Sequence, residues 1–245
     1  MGEGSDDGLR TARRRSPMGQ LVQDLIADAN LARNDLRRQG DELRPLGKKA
    51  SRTRLELLDA ASACFLANGY RATSVEDIHE AAGVSIGTFY QYFRDKADVM
   101  TTLVAEAIID SASRMFPHVR LVDDDAPRGA LEGFVKNYAR TADFQAVWEE
   151  ATHFETRLAE FRHRVAHVVE AGLAEQIVEG QQSGAVDATL DPLDTARALA
   201  AMVDRYCYLT FVVDGVRDRA AVQRTTDLVA TLWQNALQLR GRAVT

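Results

Sequence analysis

The segment from Thr73 to Arg94, TSVEDIHEAAGVSIGTFYQYFR, most limits how this chain can fold. Val75, Ile78 and Ala82 recur at helical spacing in its first half, and Thr73 with Glu76 has the spacing of a capping box. Gly83 then supplies a stop, because glycine enters the left-handed region without a Cβ clash. Ser85 is placed to cap a second run, in which Phe89 and Phe93 lie four apart on one side. Neither run is long enough to stand alone, since isolated helices below about 12–15 residues are marginal in water. The spacing therefore predicts two short helices joined by a tight turn and packed on neighbours, a helix-turn-helix (motif 74–93).

The neighbours are readable on both sides. Ser51–Asn68 reads as a helix with Leu55, Leu58, Ser62 and Phe65 inward, stopped at Asn68-Gly69. Asp95-Lys96 opens a long helix to about Met115, with Val99, Leu103, Ala107 and Ile108 inward and Pro117 beyond. The rest of the chain is also helical in pattern. Phe134–Val147 and Ala151–Gly180 are apolar-periodic, and Ser183–Asp191 reads as a loop. Pro192–Val213 buries Ala196, Leu199, Ala200, Val203, Cys207 and Phe211. Asp218–Leu239 carries Val222, Thr225, Leu228, Val229, Leu232 and Ala236. No strand alternation or hairpin dipeptide occurs, so the fold class is all-α. Ahead of the motif, 1–16 is polar, and 18–38 shows one amphipathic face from Met18 through Leu36. The expected organisation is an extension at 1–49, a helix-turn-helix domain at 50–115, and a further helical domain at 116–245.

Charge is unevenly spread. The net charge is −6, yet Arg10–Arg54 holds 12 basic and 5 acidic residues, whereas 116–245 holds 14 and 19. A basic front points to a polyanion partner for that end alone; a solubilising arm is the other reading. No run approaches the roughly 18 apolar residues of a membrane span, and the N-terminus lacks an apolar signal core. A cytoplasmic protein with no membrane partner is the expectation. Cys64 and Cys207 are too few and too far apart for a disulfide framework or a zinc finger, and both fall on apolar faces.

The residues Ala60, Phe65, Gly69, Tyr70, Thr73, Ile78, Ala81, Gly83, Val84, Ser85, Gly87, Thr88, Tyr90, Phe93, Lys96 and Val99, with the continuous string AGVSIGTFYQYFRDK, resemble the DNA-binding domain of the tetracycline-repressor (TetR) family of bacterial regulators. The resemblance covers Arg52–Val104; the C-terminal half is similar only in length and helical character. It implies a homodimer on an inverted-repeat operator, with the last two helices meeting their mates in a four-helix bundle. The second helix of the motif then enters the major groove with Ile86, Gly87, Thr88, Tyr90, Gln91 and Tyr92 outward. Gly87 admits close backbone approach, and Gln91 can pair in a bidentate way with adenine. Thr88 can meet a thymine methyl or donate to phosphate, Tyr90 and Tyr92 offer hydroxyls to phosphate oxygens, and Lys96, Arg52 and Thr53 can meet the phosphate backbone. Thr73 and Ser85, at the two helix starts, complete the candidate set. One departure is that residues 51–115 hold 6 basic against 9 acidic residues, a deficit that the basic front can offset by minor-groove contacts.

Competing constellations are weaker. Gly83-Val-Ser85-Ile-Gly87 matches the nucleophile elbow of hydrolases, but that elbow needs an apolar strand before it, and a charged helical run precedes it here. No catalytic residues are assigned and no enzyme is expected. His163 and His167 have i, i+4 ligand spacing with Glu160 nearby, but a solvated histidine pair is the simpler reading, so no metal and no cofactor are assigned. A small apolar effector is expected between facing helices, lined by Phe134, Tyr138, Trp148, Phe154, Met202 and Tyr206. The alternative to a repressor is a helical lipid or small-molecule carrier that reuses the fold without binding DNA.

Overall fold

The computed structural model describes residues 48–115 and 126–237, and among these every regular element is helical. The basic front as far as Gly47, the 18–38 face and Pro117 lie outside the described residues. In chain order the elements are α1 (Lys48–Asn68), α2 (Val75–Ala81), α3 (Ile86–Tyr92), α4 (Lys96–Met115), α5 (Ala126–Arg140), α6 (Ala142–Phe154), α7 (Thr156–Gln182), α8 (Pro192–Cys207) and α9 (Arg219–Leu237). A π-helical turn, Tyr208–Val213, prolongs α8.

The described residues fall into two compact units. One holds 48–110 together with 143–164; the other holds 111–142 together with 165–237. In the first, α1 packs on α2 and α2 on α3. Its fully buried side chains include Leu57, Leu58, Ala61, Phe65, Ile78, Phe89, Phe93, Val99 and Met100. Phe65 lies 5.5 Å from the Tyr70 ring and Phe89 5.9 Å from Phe93. The inward stripe of α1 is therefore Arg54, Leu57, Leu58, Ala61 and Phe65, whereas Leu55 is 53% exposed. Helical spacing predicts Leu55 inside. The fold instead buries the Arg54 stem, whose guanidinium lies 5.8 Å from the Phe93 ring and donates to Glu106 at 3.1 Å. In α4 the inward residues are Val99, Met100, Val104 and Ala105; Ala107 is exposed.

Helix boundaries differ most in the middle of the chain. Two helices expected over Phe134–Val147 and Ala151–Gly180 are three, broken at Thr141 and Glu155. The Thr141 hydroxyl donates to the Asn137 carbonyl at 2.9 Å, a back-bond that competes with helix continuation. The Glu155 carbonyl accepts from Leu158 and Ala159 and so starts α7. The loop at Ser183–Asp191 is as expected; Asp191 caps α8 by accepting from the Asp194 amide, and Pro192 follows where a missing N–H costs nothing.

The second unit packs α5 against α9 around one core that includes Val135, Tyr138, Ile177, Val203, Phe211, Val229 and Trp233. Ala196, Leu199, Val203, Cys207 and Phe211 face inward as expected. On α9 the buried stripe is Ala221, Thr225, Thr226, Val229, Ala230, Trp233 and Leu237. Leu228 and Leu232, expected on the same stripe, are 42% and 41% exposed. Burial pushes the Cys207 thiol up to about 12, with Asp204 adding to the shift, so this cysteine is an inert core residue.

The register of α1 has a direct check. Leu58→Ala should cost about 2–5 kcal/mol of unfolding free energy, and Leu55→Ala no more than about 0.5 kcal/mol, in urea denaturation followed by circular dichroism. Equal losses would place both leucines in the core.

Candidate nucleic-acid interface

The short helices of the first unit are built from their ends. The cap of α2 is Ser74, one residue after the expected Thr73. Its hydroxyl accepts from the Asp77 amide at 3.1 Å, and the Asp77 carboxylate accepts from the Ser74 amide at 2.8 Å. The Ser74 amide, and the Ser74 hydroxyl that also donates to the carboxylate at 2.8 Å, hold the Asp77 carboxyl below the usual carboxylate range. At the turn, Gly83 takes φ +66°, as its stop role requires. The His79 ring spans the same turn, its Nδ1 lying 3.0 Å from the Val84 carbonyl. A carbonyl only accepts, so that nitrogen carries the proton. Ser85 caps α3 by accepting from the Thr88 amide at 3.1 Å, with the two hydroxyls 2.9 Å apart.

These contacts leave one face of α3 bare. Phe89 and Phe93 are fully buried, while Ile86, Gly87, Tyr90 and Gln91 are exposed and Thr88 and Tyr92 half-buried. Gly87 stands out. A Cβ there would meet nothing nearer than the Ser85 hydroxyl at 3.8 Å, and its backbone is not in the left-handed region. Glycine costs a helix about 1 kcal/mol relative to alanine. Nothing inside the fold asks for that cost. Arg52 is exposed and pairs with Glu56 one turn on, at 2.9 Å; Thr53 is half-buried.

Two expected backbone-contacting residues have other partners. Thr73 is 1% exposed, and its hydroxyl donates to the carbonyls of Gly69 at 2.8 Å and Cys64 at 3.2 Å. It is a buried brace of the turn after α1 and cannot reach a nucleic acid. The Lys96 ammonium donates to the carbonyls of Tyr70 at 2.9 Å, Arg71 at 3.2 Å and Thr73 at 2.9 Å, and lies 4.6 Å from the Tyr70 ring centroid. Three carbonyls match its three protons, so the expected phosphate contact gives way to a structural one. Burial holds its pKa below the usual lysine value, with Glu155 and Glu150 opposing.

The same turn is held from its other side by residues the sequence did not single out for this role. The Glu150 carboxylate of α6 accepts from the amides of Tyr70 at 2.9 Å and Arg71 at 3.1 Å. The Tyr70 hydroxyl donates to Glu155 at 3.2 Å, and burial with that carboxylate pushes the phenol pKa up. Arg157 pairs with Asp95 at 2.6 Å. Phe154, expected in an effector pocket, is 55% exposed and lies 5.2 Å from the Arg71 guanidinium. It is a surface stacking partner of that arginine. Of the other expected pocket residues, Trp148 packs edge-on to Phe161 at 6.3 Å in the first unit. Phe134, Tyr138 and Met202 belong to the core of the second unit, and Tyr206 is 38% exposed. The six do not form a cluster within either unit.

Comparison with known proteins adds the following. Residues 57–102 match the family described as bacterial regulatory proteins, tetR family. The HTH-type transcriptional repressor KstR2 of Rhodococcus jostii is 32% identical over 123 residues, which is 50% of this chain and 54% of that protein. The chain thus matches about half the length of that relative. Among solved structures, the fatty acid degradation regulator FadR of Bacillus halodurans superposes with a TM-score of 0.61 at 23% identity, covering 80% of this chain and all of that one. A SmeT–triclosan complex gives 0.62 at 21% identity, covering 76% and 91%. At these identities the two structures establish the fold. No described helix is long and apolar enough to cross a membrane.

The role of Lys96 is testable. Lys96→Ala should lower unfolding free energy by about 1.5–3 kcal/mol in urea titrations, because three carbonyls lose a charged donor. Unchanged stability, with a loss seen only in nucleic-acid binding, would return Lys96 to the phosphate-contacting set.

Proposed function

We propose that this chain, whose residues 57–102 match the model of the tetR family, is a transcriptional repressor that binds an inverted-repeat DNA operator as a homodimer and leaves it when a small apolar effector binds. The observation that carries the DNA reading is the outer face of α3. It combines exposed Tyr90 and Gln91 with a glycine at 87 that the fold itself does not require. A partner whose backbone or base edge comes close to the helix does require it. Gln91 is the adenine reader and Tyr90, Tyr92 and Thr88 are phosphate or methyl contacts. Ser85 at the start of α3, and Arg52 and Thr53 near the start of α1, are further candidates for phosphate contact. The protein works as a cytoplasmic regulator and not as an enzyme.

The dimer reading is supported by the surface of the last helices. Tyr206, Leu209, Val213, Val216, Leu228 and Leu232 are all more than a third exposed, on α8, its π turn, the residues just after it, and α9. So many large apolar side chains left in water on neighbouring elements favour burial against a second copy. The effector reading is supported by the second unit's core. Trp233 Nε1 and Gln176 Oε1 are buried there without a hydrogen-bond partner. Buried polar atoms of this kind are the points at which a mainly apolar molecule with a polar group can gain a hydrogen bond. Phe134, Tyr138 and Met202 supply apolar lining in the same unit. The triclosan held by the SmeT relative is a ligand of this general kind. A carrier without DNA affinity is the competing reading, and the α3 surface argues against it.

The deciding experiment is selection of duplexes from a random library by the full chain, followed by gel shift with salt titration. Recovery of an inverted repeat that is bound far more tightly than random duplex supports the reading; retention of no duplex rejects it. In that assay Gly87→Ala should stabilise the fold by about 0.5–1 kcal/mol in urea yet weaken operator binding at least tenfold. Tight operator binding by Gly87→Ala would remove the close-approach role. Leu232→Glu, on an exposed position, should give a folded monomer in light scattering at micromolar concentration; a dimer of normal mass would move the interface elsewhere. Phe211 is unsuitable for this purpose, since it is fully buried in the unit's own core.

A further inference from the structure

The outward side of α1 carries an apolar line that stays open among the described residues. Leu55 and Leu66 are 53% and 49% exposed, and at helical pitch two residues eleven apart stand on one side. With Arg52, Asp59 and Ser62 the line advances in steps of three, four, three and four, the a and d positions of a heptad. The chain ahead of α1 holds a second line of the same kind. Val22, Leu25, Ala29, Ala32 and Leu36 repeat those steps over the same length. Ile26 and Arg33 lie on one flank of that second line, and Asp28 and Asp35 on the other. On α1 the flank equivalent to that of Arg33 holds Glu56 and Ala63. Only residues 37–47, with Gly40 and Pro45 among them, separate Leu36 from the start of α1.

We propose that residues 18–38 dock as a helix, antiparallel, along the Leu55–Leu66 line of α1. The pairing sets Ala29 and Ala32 across from Leu55, small against large, and Met18 and Val22 across from Leu66. An antiparallel pair brings equivalent flanks together, so Arg33 stands by Glu56 and Ile26 by Ala63. A parallel pair would set Asp28 and Asp35 beside Glu56, and its connection would have to run back over about 27 Å. Length, period and charge thus select the same partner and the same direction. The docked segment holds its connection, with Arg37, Arg38 and Arg44, at the end of α1 that carries Arg52 and Thr53. A contact of this size releases below the global transition. Leu55→Ala therefore stays nearly silent in urea unfolding and shows in amide exchange.

The test is hydrogen exchange read by mass spectrometry on the full chain, with a synthetic 18–38 peptide as the reference for the segment's own helicity. In the wild-type chain the 18–38 amides should exchange at least tenfold more slowly than in the peptide. Leu55→Ser together with Leu66→Ser should return them to within about twofold of the peptide rate, whereas Leu193→Ser, on an exposed leucine of α8, should not. Glu56→Lys should also speed their exchange, and Arg33→Glu added to it should restore the protection. Should the double serine chain not fold, the charge exchange alone decides. Peptide-like exchange in the wild-type chain overturns the docking. So does protection that ignores both leucines and the charge exchange, which would place the segment elsewhere. Protection that falls on dilution of the protein overturns it too, and makes a second copy the source of the cover.

Discussion

One backbone turn, Gly69–Thr73, is gripped by charge from two sides. A single ammonium, Lys96, gathers the carbonyls of Tyr70, Arg71 and Thr73, and a single carboxylate, Glu150, gathers the amides of Tyr70 and Arg71. A turn has no helix ladder to satisfy its polar groups, so buried ones need such partners. The cation comes from α4 and the anion from α6. The turn thereby fixes where α2 begins relative to α1, and with it where α3 can present its outer face. Thr73, bonded back to Gly69 and Cys64, closes the same loop from within.

The recognition surface inherits its geometry from that turn because α2 and α3 have little stability of their own. Each has seven residues, well short of a self-supporting helix. Side-chain caps at Ser74 and Ser85, the Gly83 stop and the His79 bridge satisfy their ends. Ile78, Phe89 and Phe93 anchor them in the core below. What remains outward is Ile86, Gly87, Tyr90 and Gln91. An arrangement of this kind is stiff where it is packed and bare on its outer face.

The second unit shows the complementary logic. Its core closes around Val135, Phe211, Val229 and Trp233, yet two buried polar atoms find no partner and several large apolar side chains stay in water. Both features cost free energy in an isolated chain.

Local rules carried a good part of this structure. Helix class, the helix-turn-helix, the Gly83 stop, the Ser85 cap and the inward placing of Phe89 and Phe93 all follow from spacing, since i, i+3, i+4 periodicity and capping chemistry act over a few residues. Which of two adjacent stripes faces in did not follow. Leu55 and Leu228 fit the period as well as Arg54 and Val229, and only the neighbouring helices choose between them. Thr73 and Lys96 show the same limit in function: their types suit phosphate contact, and their place in the fold turns them to backbone carbonyls. The break at Glu155 has no proline or glycine to announce it, and the pairing of Glu150 with Tyr70 and Arg71 joins residues about eighty apart. Such contacts depend on how helices are brought together in space, a matter of packing and desolvation across the whole unit, to which local sequence is blind.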